Sequence, residues 1–281
     1  AQPFWALFAA LPVAMASSLG GALGGLVGRL PPLARRAERN LQLAMPELSQ
    51  PERTAIIAGV WQNLGRTLGE LPHLRDFTLT EDPPGPGQIQ LVGGEKLLAH
   101  VGQARGAILF GGHLANWELM PVVVAGHAEA AHVVYRAPNN PLIDKWLQDF
   151  RKGIALSTLA KGPAAARGLL SALKGGQSVG MLVDQKMNDG IAVPFFGLPA
   201  MTAPALAQLA LRQDIAVLPM RCERLDGTAF RMTVMDPLPH IKSGDHKADV
   251  AAMMGQVNDL LEGWIRERPE QWLWLHHRWP K

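Results

Sequence analysis

Phe110-Gly111-Gly112-His113-Leu114-Ala115-Asn116-Trp117-Glu118 joins two apolar runs of different character. Ala107 to Phe110 is short and uninterrupted, the pattern of a buried strand, and Leu119 to Val124 reads as the body of a helix. The stretch is therefore a strand-to-helix turn, and its two glycines allow the backbone to approach a ligand closely. His113 and Glu118 stand five positions apart; on one continuous helix they would diverge by about 140°, at roughly 100° per residue. With His113 in the turn and Glu118 in the first helical turn, the side chains converge. A carboxylate on one imidazole nitrogen sets the tautomer and leaves the other nitrogen as a base. No serine or cysteine accompanies the pair, which suits activation of a hydroxyl that arrives with the substrate. The bland alternative is a histidine packed at a strand end.

Outward from this turn, strand-like and helix-like segments alternate. Glu95 to Gly106 reads as helix, His132 to Tyr135 as strand, and Pro141 to Lys152 as helix with Leu142, Trp146 and Phe150 on one face. Pro163 to Lys174 is predicted helical, Ser178 to Val183 a strand, Ala203 to Arg212 a helix, Ile215 to Met220 and Phe230 to Met235 strands, and Asp249 to Arg266 a closing helix. Upstream, Ala37 to Met45 and Pro51 to Leu71 read as helices, the second opened by Ser49 and an early proline. Glu81 to Gly87, rich in proline and glycine, is a loop. The alternation predicts an α/β fold, a central mixed sheet covered by helices.

Of the 281 residues 48% are hydrophobic and only 18% charged, an apolar balance for a soluble enzyme. The formal net charge of +3 suits an anionic surface or a phosphorylated substrate. With no basic block and no aromatic-rich RNA motif, nucleic acid is not an expected partner. Cys222 is the single cysteine, so neither an intramolecular disulfide nor a multi-cysteine metal site can form. Phe4 to Gly28 carries no charge and is long enough to span a bilayer, which takes about 20 apolar residues. Pro12 would kink it, and glycines four apart from Gly20 to Gly28 let helices approach closely. The alternative is a buried hairpin packed on the globular domain. Arg29, Arg35, Arg36 and Arg39 follow, which by the positive-inside tendency puts the remainder on the cytoplasmic side. Residues 1–30 are thus expected to form an apolar membrane anchor or membrane-embedded helix, and residues 31–281 the α/β domain.

Further blocks sit at predicted strand ends, where open α/β sheets bind ligands. Tyr135-Arg136-Ala137-Pro138-Asn139-Asn140-Pro141-Leu142 offers Arg136 to grip a phosphate or polarise a carbonyl oxygen. Leu182-Val183-Asp184-Gln185 ends another strand, followed by Val193-Pro194-Phe195-Phe196-Gly197 and by Thr202, placed as a helix N-cap. Arg221 follows a strand and adds to a phosphate-binding patch. Gly176-Gln177-Ser178-Val179-Gly180 matches the G-x-S-x-G pattern, but helix precedes and strand follows, the reverse of a nucleophile elbow. The adjacent His276 and His277 make a poor metal pair.

The H-x4-E block in the form GGHLANWE resembles the first block of the lipid A late acyltransferases, the lauroyl/myristoyl acyltransferase family, itself similar to the wider H-x4-D/E glycerolipid acyltransferases. The resemblance extends through Arg136 with Asn140-Pro141 (spaced differently from the family's Arg-x-x-x-Asn-Pro), the strand-end Asp184, the Pro-Phe-Phe-Gly turn, and the closing Trp-x-His-x-Arg-Trp at Trp274 to Trp279. It covers nearly the whole chain.

That resemblance implies a glycerolipid-acyltransferase-like fold and a transfer of a fatty acyl chain from an acyl carrier protein thioester to a hydroxyl of a lipid A precursor, in lipopolysaccharide biosynthesis. His113 would take the hydroxyl proton and Glu118 would orient it. Arg136, Asn116, Asn140, Asp184, Gln185 and Arg221 fall to substrate binding, and Phe195 and Phe196 to the acyl chain. No metal or other cofactor is implied. The implied partners are acyl carrier protein, a phosphorylated glycolipid acceptor and the membrane, on the cytoplasmic face of the inner membrane. Two other readings stand beside it: the same chemistry on another glycolipid, phospholipid or amino-lipid, and a non-catalytic lipid-binding protein on a related fold.

Overall fold

The computed structural model describes residues 2–101, 106–127, 131–135, 156–160 and 163–279. Its helices are α1 (Gln2–Ala9), α2 (Val13–Val27), α3 (Pro31–Ala44), α4 (Gln50–Glu70), α5 (Gly94–His100), α6 (Leu119–Ala125), α7 (Pro163–Lys174), α8 (Ala205–Gln213) and α9 (His246–Glu267). Its strands are β1 (Thr78–Thr80), β2 (Gln88–Val92), β3 (Ile108–Gly111), β4 (Ala131–Tyr135), β5 (Leu156–Ala160), β6 (Ser178–Leu182), β7 (Ile191–Phe195), β8 (Leu198–Thr202), β9 (Val217–Asp226) and β10 (Ala229–Val234). The expected helix Pro141 to Lys152 lies outside the described residues.

Eight strands form one sheet in the order β1-β2-β10-β9-β3-β6-β4-β5, parallel throughout except for the antiparallel pair β9–β10. The mixed α/β sheet read from the sequence is the observed one. β3 runs between β6 and β9 with all four residues buried, which is why its sequence is a continuous apolar run rather than an alternating one. Successive side chains still point to opposite faces. Ile108 and Phe110 enter one core with Val179, Val217 and Trp264, whereas Leu109 enters the other with Leu119, Leu218 and Phe230. Two cores thus clamp the strand that carries His113. Register aligns Gly111 with Leu182 and Val134 with Met181, so β3, β6 and β4 end on one edge.

Five short strands, β1, β2, β5, β7 and β8, were not apparent in the sequence. β1 is largely exposed, β2 mostly half-buried, and both are short. β7 and β8 form an antiparallel hairpin whose paired prolines, Pro194 opposite Pro199, argue against strand in the sequence. A two-stranded ribbon tolerates them because each strand has an open edge. Its turn, Phe196-Gly197, has both φ angles positive, the geometry that matches the twist of a hairpin. Thr202 closes β8 and accepts a hydrogen bond from Arg278 Nη2 at 2.8 Å; the expected N-cap role is not observed, since α8 begins after Pro204.

The charge-free N-terminal run is broken into α1 and α2 around Leu11-Pro12, and among the described residues no helix is long and apolar enough to cross a membrane. Instead α2 lies along α4. A Cβ added at Gly20 or Gly24 of α2 would strike the carbonyl oxygen of Gly65 or Trp61, and one at Gly65 the carbonyl oxygen of Gly20. Ser17 Oγ donates to Glu70 Oε1 at 2.6 Å, buried at the same contact. Met15, Leu23, Leu26 and Val27 remain exposed on α2.

Gly65→Val tests the contact. An ordinary residue gains up to about 1 kcal/mol of helix propensity over glycine, but here the clash with Gly20 outweighs it. The variant is expected to lose thermal stability and to be cut within residues 2–30 by a trace of protease. Unchanged melting and unchanged proteolysis would show that the glycine contact is dispensable.

Candidate active site

His113 follows the buried end of β3, and the chain turns there because its backbone is gripped on several sides. Gly111 and Gly112 do not face open space: a Cβ at Gly111 would meet Met120 Cε and Met220 O at 2.7 Å, and one at Gly112 would meet Leu261 Cδ2 at 3.0 Å and Asp184 Oδ2 at 3.4 Å. The glycines let the strand end sink between protein elements rather than approach a ligand. Ala115 has φ of 50°, rare for a residue with a side chain. That conformation is held by Ala115 N donating to Gln271 O at 2.9 Å, and by Asn63 Nδ2 and Thr67 Oγ1 donating to Ala115 O at 3.0 and 3.1 Å.

The carboxylate on His113 is Asp184, not Glu118. His113 Nδ1 lies 2.7 Å from Asp184 Oδ1, and His113 N donates to Asp184 Oδ2 at 2.8 Å. Trp272 Nε1 donates to the same Oδ2 at 2.7 Å. Asp184 is 0% exposed. Burial by itself would raise its pKa; the charge and hydrogen bonds of His113 outweigh burial and hold the carboxyl below the usual carboxylate range. An ionised Asp184 fixes a proton on Nδ1, which leaves Nε2 as the basic nitrogen. Nε2 lies 3.3 Å from Gln185 Nε2, a long contact that a hydroxyl can displace. His113 does lie in the turn and Glu118 at the start of α6, as expected, but the ring nitrogen expected to face Glu118 is taken by Asp184. Leu114 bridges to Trp272 and Ala115 takes a left-handed φ. Glu118 itself is partly buried at the start of α6, its N–H bonded to Asn116 Oδ1 at 3.2 Å.

The other expected site residues divide. Gln185 and Asp184 are at His113. Asn116 is fully buried with both ends of its amide engaged, Nδ2 donating to Glu70 Oε2 at 2.8 Å and Oδ1 accepting from Glu118 N, so it serves the loop. Arg221 is buried and paired with Glu267 Oε2 at 2.7 Å and Glu223 Oε1 at 2.9 Å, a guanidinium already neutralised. Phe195 and Phe196 pack with each other, centroids 4.9 Å apart, and with Trp272, Trp274 and Trp279 at 5.7 to 6.0 Å. Arg136 and Asn140 lie outside the described residues, though β4 ends at Tyr135 on the His113 edge. Among the described residues no cluster of three or more potential ligands could hold a metal.

His276 was passed over in the sequence as half of a poor metal pair. Its Nε2 lies 3.3 Å from Asp184 O and its ring is 6.4 Å from that of His113. The residue is partly exposed, but Nδ1 is buried. Burial pushes its pKa down to about 4, against the pull of Asp184. Its place in the closing Trp-x-His-x-Arg-Trp block was the signal available.

A pH dependence follows. Between about 4 and the ordinary 6.5 the unfolded chain protonates His276 and the folded chain does not. The unfolded state then binds more protons, so stability rises with pH through this window and falls as the solution is acidified. The melting temperature is expected to drop from pH 7 to pH 4.5, and His276→Gln to flatten that slope. An identical slope in the variant would assign the acid sensitivity to other groups. Asp184 acts in the same direction at lower pH, losing its contribution only as the solution falls through its depressed value.

The chain is similar to known proteins over most of its length. The family model for bacterial lipid A biosynthesis acyltransferases matches residues 2–281. The chain is 29% identical over 255 residues to the lipid A biosynthesis lauroyltransferase of Escherichia coli strain K12, covering 87% of this chain and 78% of the relative. It is 28% identical over 249 residues to the lipid A biosynthesis palmitoleoyltransferase of the same strain, with 86% and 77% covered. A lipid A biosynthesis acyltransferase of Haemophilus influenzae is 25% identical over 250 residues, with 86% and 76% covered.

Proposed function

Because the chain belongs to the bacterial lipid A biosynthesis acyltransferase family and is an acyltransferase, we propose that it moves a fatty acyl chain from an acyl carrier protein thioester to a hydroxyl of a lipid A precursor, with His113 as general base. The observation that supports this reading is the contact between His113 Nδ1 and the buried Asp184, which presents Nε2 to a substrate hydroxyl. The hydroxyl gives its proton to Nε2 as its oxygen bonds to the thioester carbonyl carbon. The tetrahedral intermediate then expels the thiolate, the C–S bond breaks, and the imidazolium returns the proton to sulfur. Asp184 stabilises the imidazolium while it exists. No protein nucleophile is required.

Glu118 keeps a catalytic assignment in a different role. With Nδ1 occupied by Asp184, we assign Glu118 to the acceptor rather than to the histidine. Asp184→Asn is expected to lower kcat about 10²- to 10⁴-fold, as loss of general base catalysis does, and Glu118→Gln to raise the acceptor KM more than it lowers kcat. The check is steady-state kinetics on both variants with labelled donor. The opposite ranking would return Glu118 to the histidine, and near-normal turnover by His113→Ala would end the general-base assignment.

The exposed apolar face of α2, followed by Arg29 and Arg35, favours a helix lying on a membrane rather than crossing it. Within this reading that surface is the cytoplasmic face of the inner membrane. Leu23→Asp with Leu26→Asp is expected to release the protein from anionic vesicles in a sedimentation assay. Full sedimentation of the double variant would move the membrane contact elsewhere.

A further inference from the structure

Residues 271–274 pair with the His113 loop in the manner of a strand. Ala115 N donates to Gln271 O at 2.9 Å, Leu273 N donates to His113 O at 3.1 Å, and Leu114 bridges to Trp272 in antiparallel fashion. The backbone of Trp272 is thereby fixed relative to His113. Its side chain, 1% exposed, packs on Trp274, His276 and Phe195 with ring centroids 4.6, 5.0 and 5.8 Å away. A ring packed on three sides is held in one orientation, and in that orientation Nε1 donates to Asp184 Oδ2 at 2.7 Å. An indole has one donor and no acceptor, so the polar function of this residue is directed wholly at Asp184.

The two oxygens of Asp184 are used differently. Oδ1 faces His113 Nδ1, whereas Oδ2 accepts from both His113 N and Trp272 Nε1. Two donors on Oδ2 resist rotation of the carboxylate, which keeps Oδ1 aimed at Nδ1. Hydrogen bonds to an ionised carboxylate also stabilise that form and make it a weaker base. A less basic Asp184 stabilises the imidazolium less. The apolar contacts of Trp272 would be kept by another aromatic ring; its N–H serves the aspartate.

We propose that Trp272 is a positioning residue for the transfer reaction: acting through Asp184, its N–H keeps Oδ1 aimed at His113 Nδ1 and restrains the carboxylate, so that His113 Nε2 is released as a free base at a lower pH. This rests on the general-base reading of His113 given above. The other titratable or charged groups around the pair, among the described residues, are His276, whose ring touches Trp272 and whose Nε2 faces Asp184 O; Arg278, whose charge acts on Asp184; and Glu118 at the start of α6. All three are retained when Trp272 alone is replaced.

Trp272→Phe keeps a ring in the aromatic cluster and removes the N–H. The measurement is kcat/KM across pH from about 5 to about 9, with kcat and the acceptor KM resolved on the plateau. The ascending limb is expected to move to higher pH by about 0.5 to 1 unit, within the range that one hydrogen bond to a charged group supplies. On the plateau kcat is expected to fall about 3- to 10-fold as the carboxylate gains freedom to rotate, with the acceptor KM changed less than about 2-fold. A limb that stays in place, or moves to lower pH, overturns the proposal whatever the loss of rate, because a packing defect lowers the active fraction at every pH alike. The same upward movement is expected in a His276→Gln background; its disappearance there would assign the effect to His276 and overturn the route through Asp184.

A second measurement needs neither turnover nor a folded Trp272→Phe protein. Indole N–H resonances of 15N-tryptophan-labelled Trp117→Phe protein are followed over the same pH range, Trp117 being removed because its ring also contacts His113, with centroids 5.1 Å apart. One resonance is expected to move with pH and to lose that movement when His113→Ala is added. If no resonance behaves so, Trp272 is not coupled to His113 and the proposal fails. Failure of wild type to acylate any lipid would instead defeat the function proposed above, and the indole resonance would still decide the coupling.

Discussion

A carboxylate with no exposure to water has to be satisfied by the protein, and Asp184 is satisfied by groups that the fold brings from two places. His113 supplies its backbone N–H and ring nitrogen from the end of β3, Trp272 supplies its indole from the C-terminal segment, and Asp184 itself stands just beyond β6. Removing any one leaves a buried charge short of a donor. The arrangement also has a chemical result, because the same bond that stabilises the aspartate selects the histidine nitrogen that remains basic. Stability and chemistry here are two aspects of one contact.

A second buried charge braces the loop from behind. Arg224 and Glu70 form a two-bonded pair, Nη1 to Oε1 and Nη2 to Oε2, the latter at 3.0 Å. Ser17 from α2 and Asn116 from the His113 loop complete the carboxylate, and Asn63 Oδ1 accepts from Arg224 Nε at 2.9 Å. The guanidinium lies 4.5 Å from the Phe230 ring centroid. A buried ion pair adds little net stability against an apolar replacement, but breaking one partner is costly. Its effect is to tie α2, α4, β9 and the site loop into one position. The N-terminal helices, apolar enough to suggest an anchor, are thereby also part of the scaffold of the site.

The C-terminal segment completes the design from the other side. Trp272, Trp274 and Trp279 interlock with Phe195 and Phe196, and Arg278, fully buried, lies 4.8 Å from the Phe195 ring centroid while donating to Met201 O and Thr202 Oγ1. Burial lowers the Arg278 pKa to about 10, so it remains a cation at neutral pH. This aromatic cluster positions Trp272 against Asp184, and Asn40 of α3 holds the segment by donating to Trp274 O and His276 O. The hairpin of β7 and β8 serves as packing for the segment that holds the site.

What could be read from the residues alone was local. The buried run Ala107 to Phe110, the break at Gly111-Gly112, and the helix after Glu118 identified a strand-end histidine, and the alternation of segments identified the mixed α/β sheet. These depend on periodicity and turn chemistry, which act over a few residues. The partner of His113 was not legible, because Asp184 lies 71 residues away and meets it only through the parallel register of β3 and β6. The nearer Glu118 was a reasonable choice, yet the ring nitrogen it was expected to face is taken by Asp184, and the left-handed Ala115 in the turn between them is imposed by Asn63, Thr67 and Gln271 from distant elements. The roles of Asn116, Arg221, Phe195 and Phe196 were likewise decided by what tertiary packing placed opposite them. Sequence specifies which groups can ionise, turn or pack; only the closing of the sheet and its helices decides which of them meet.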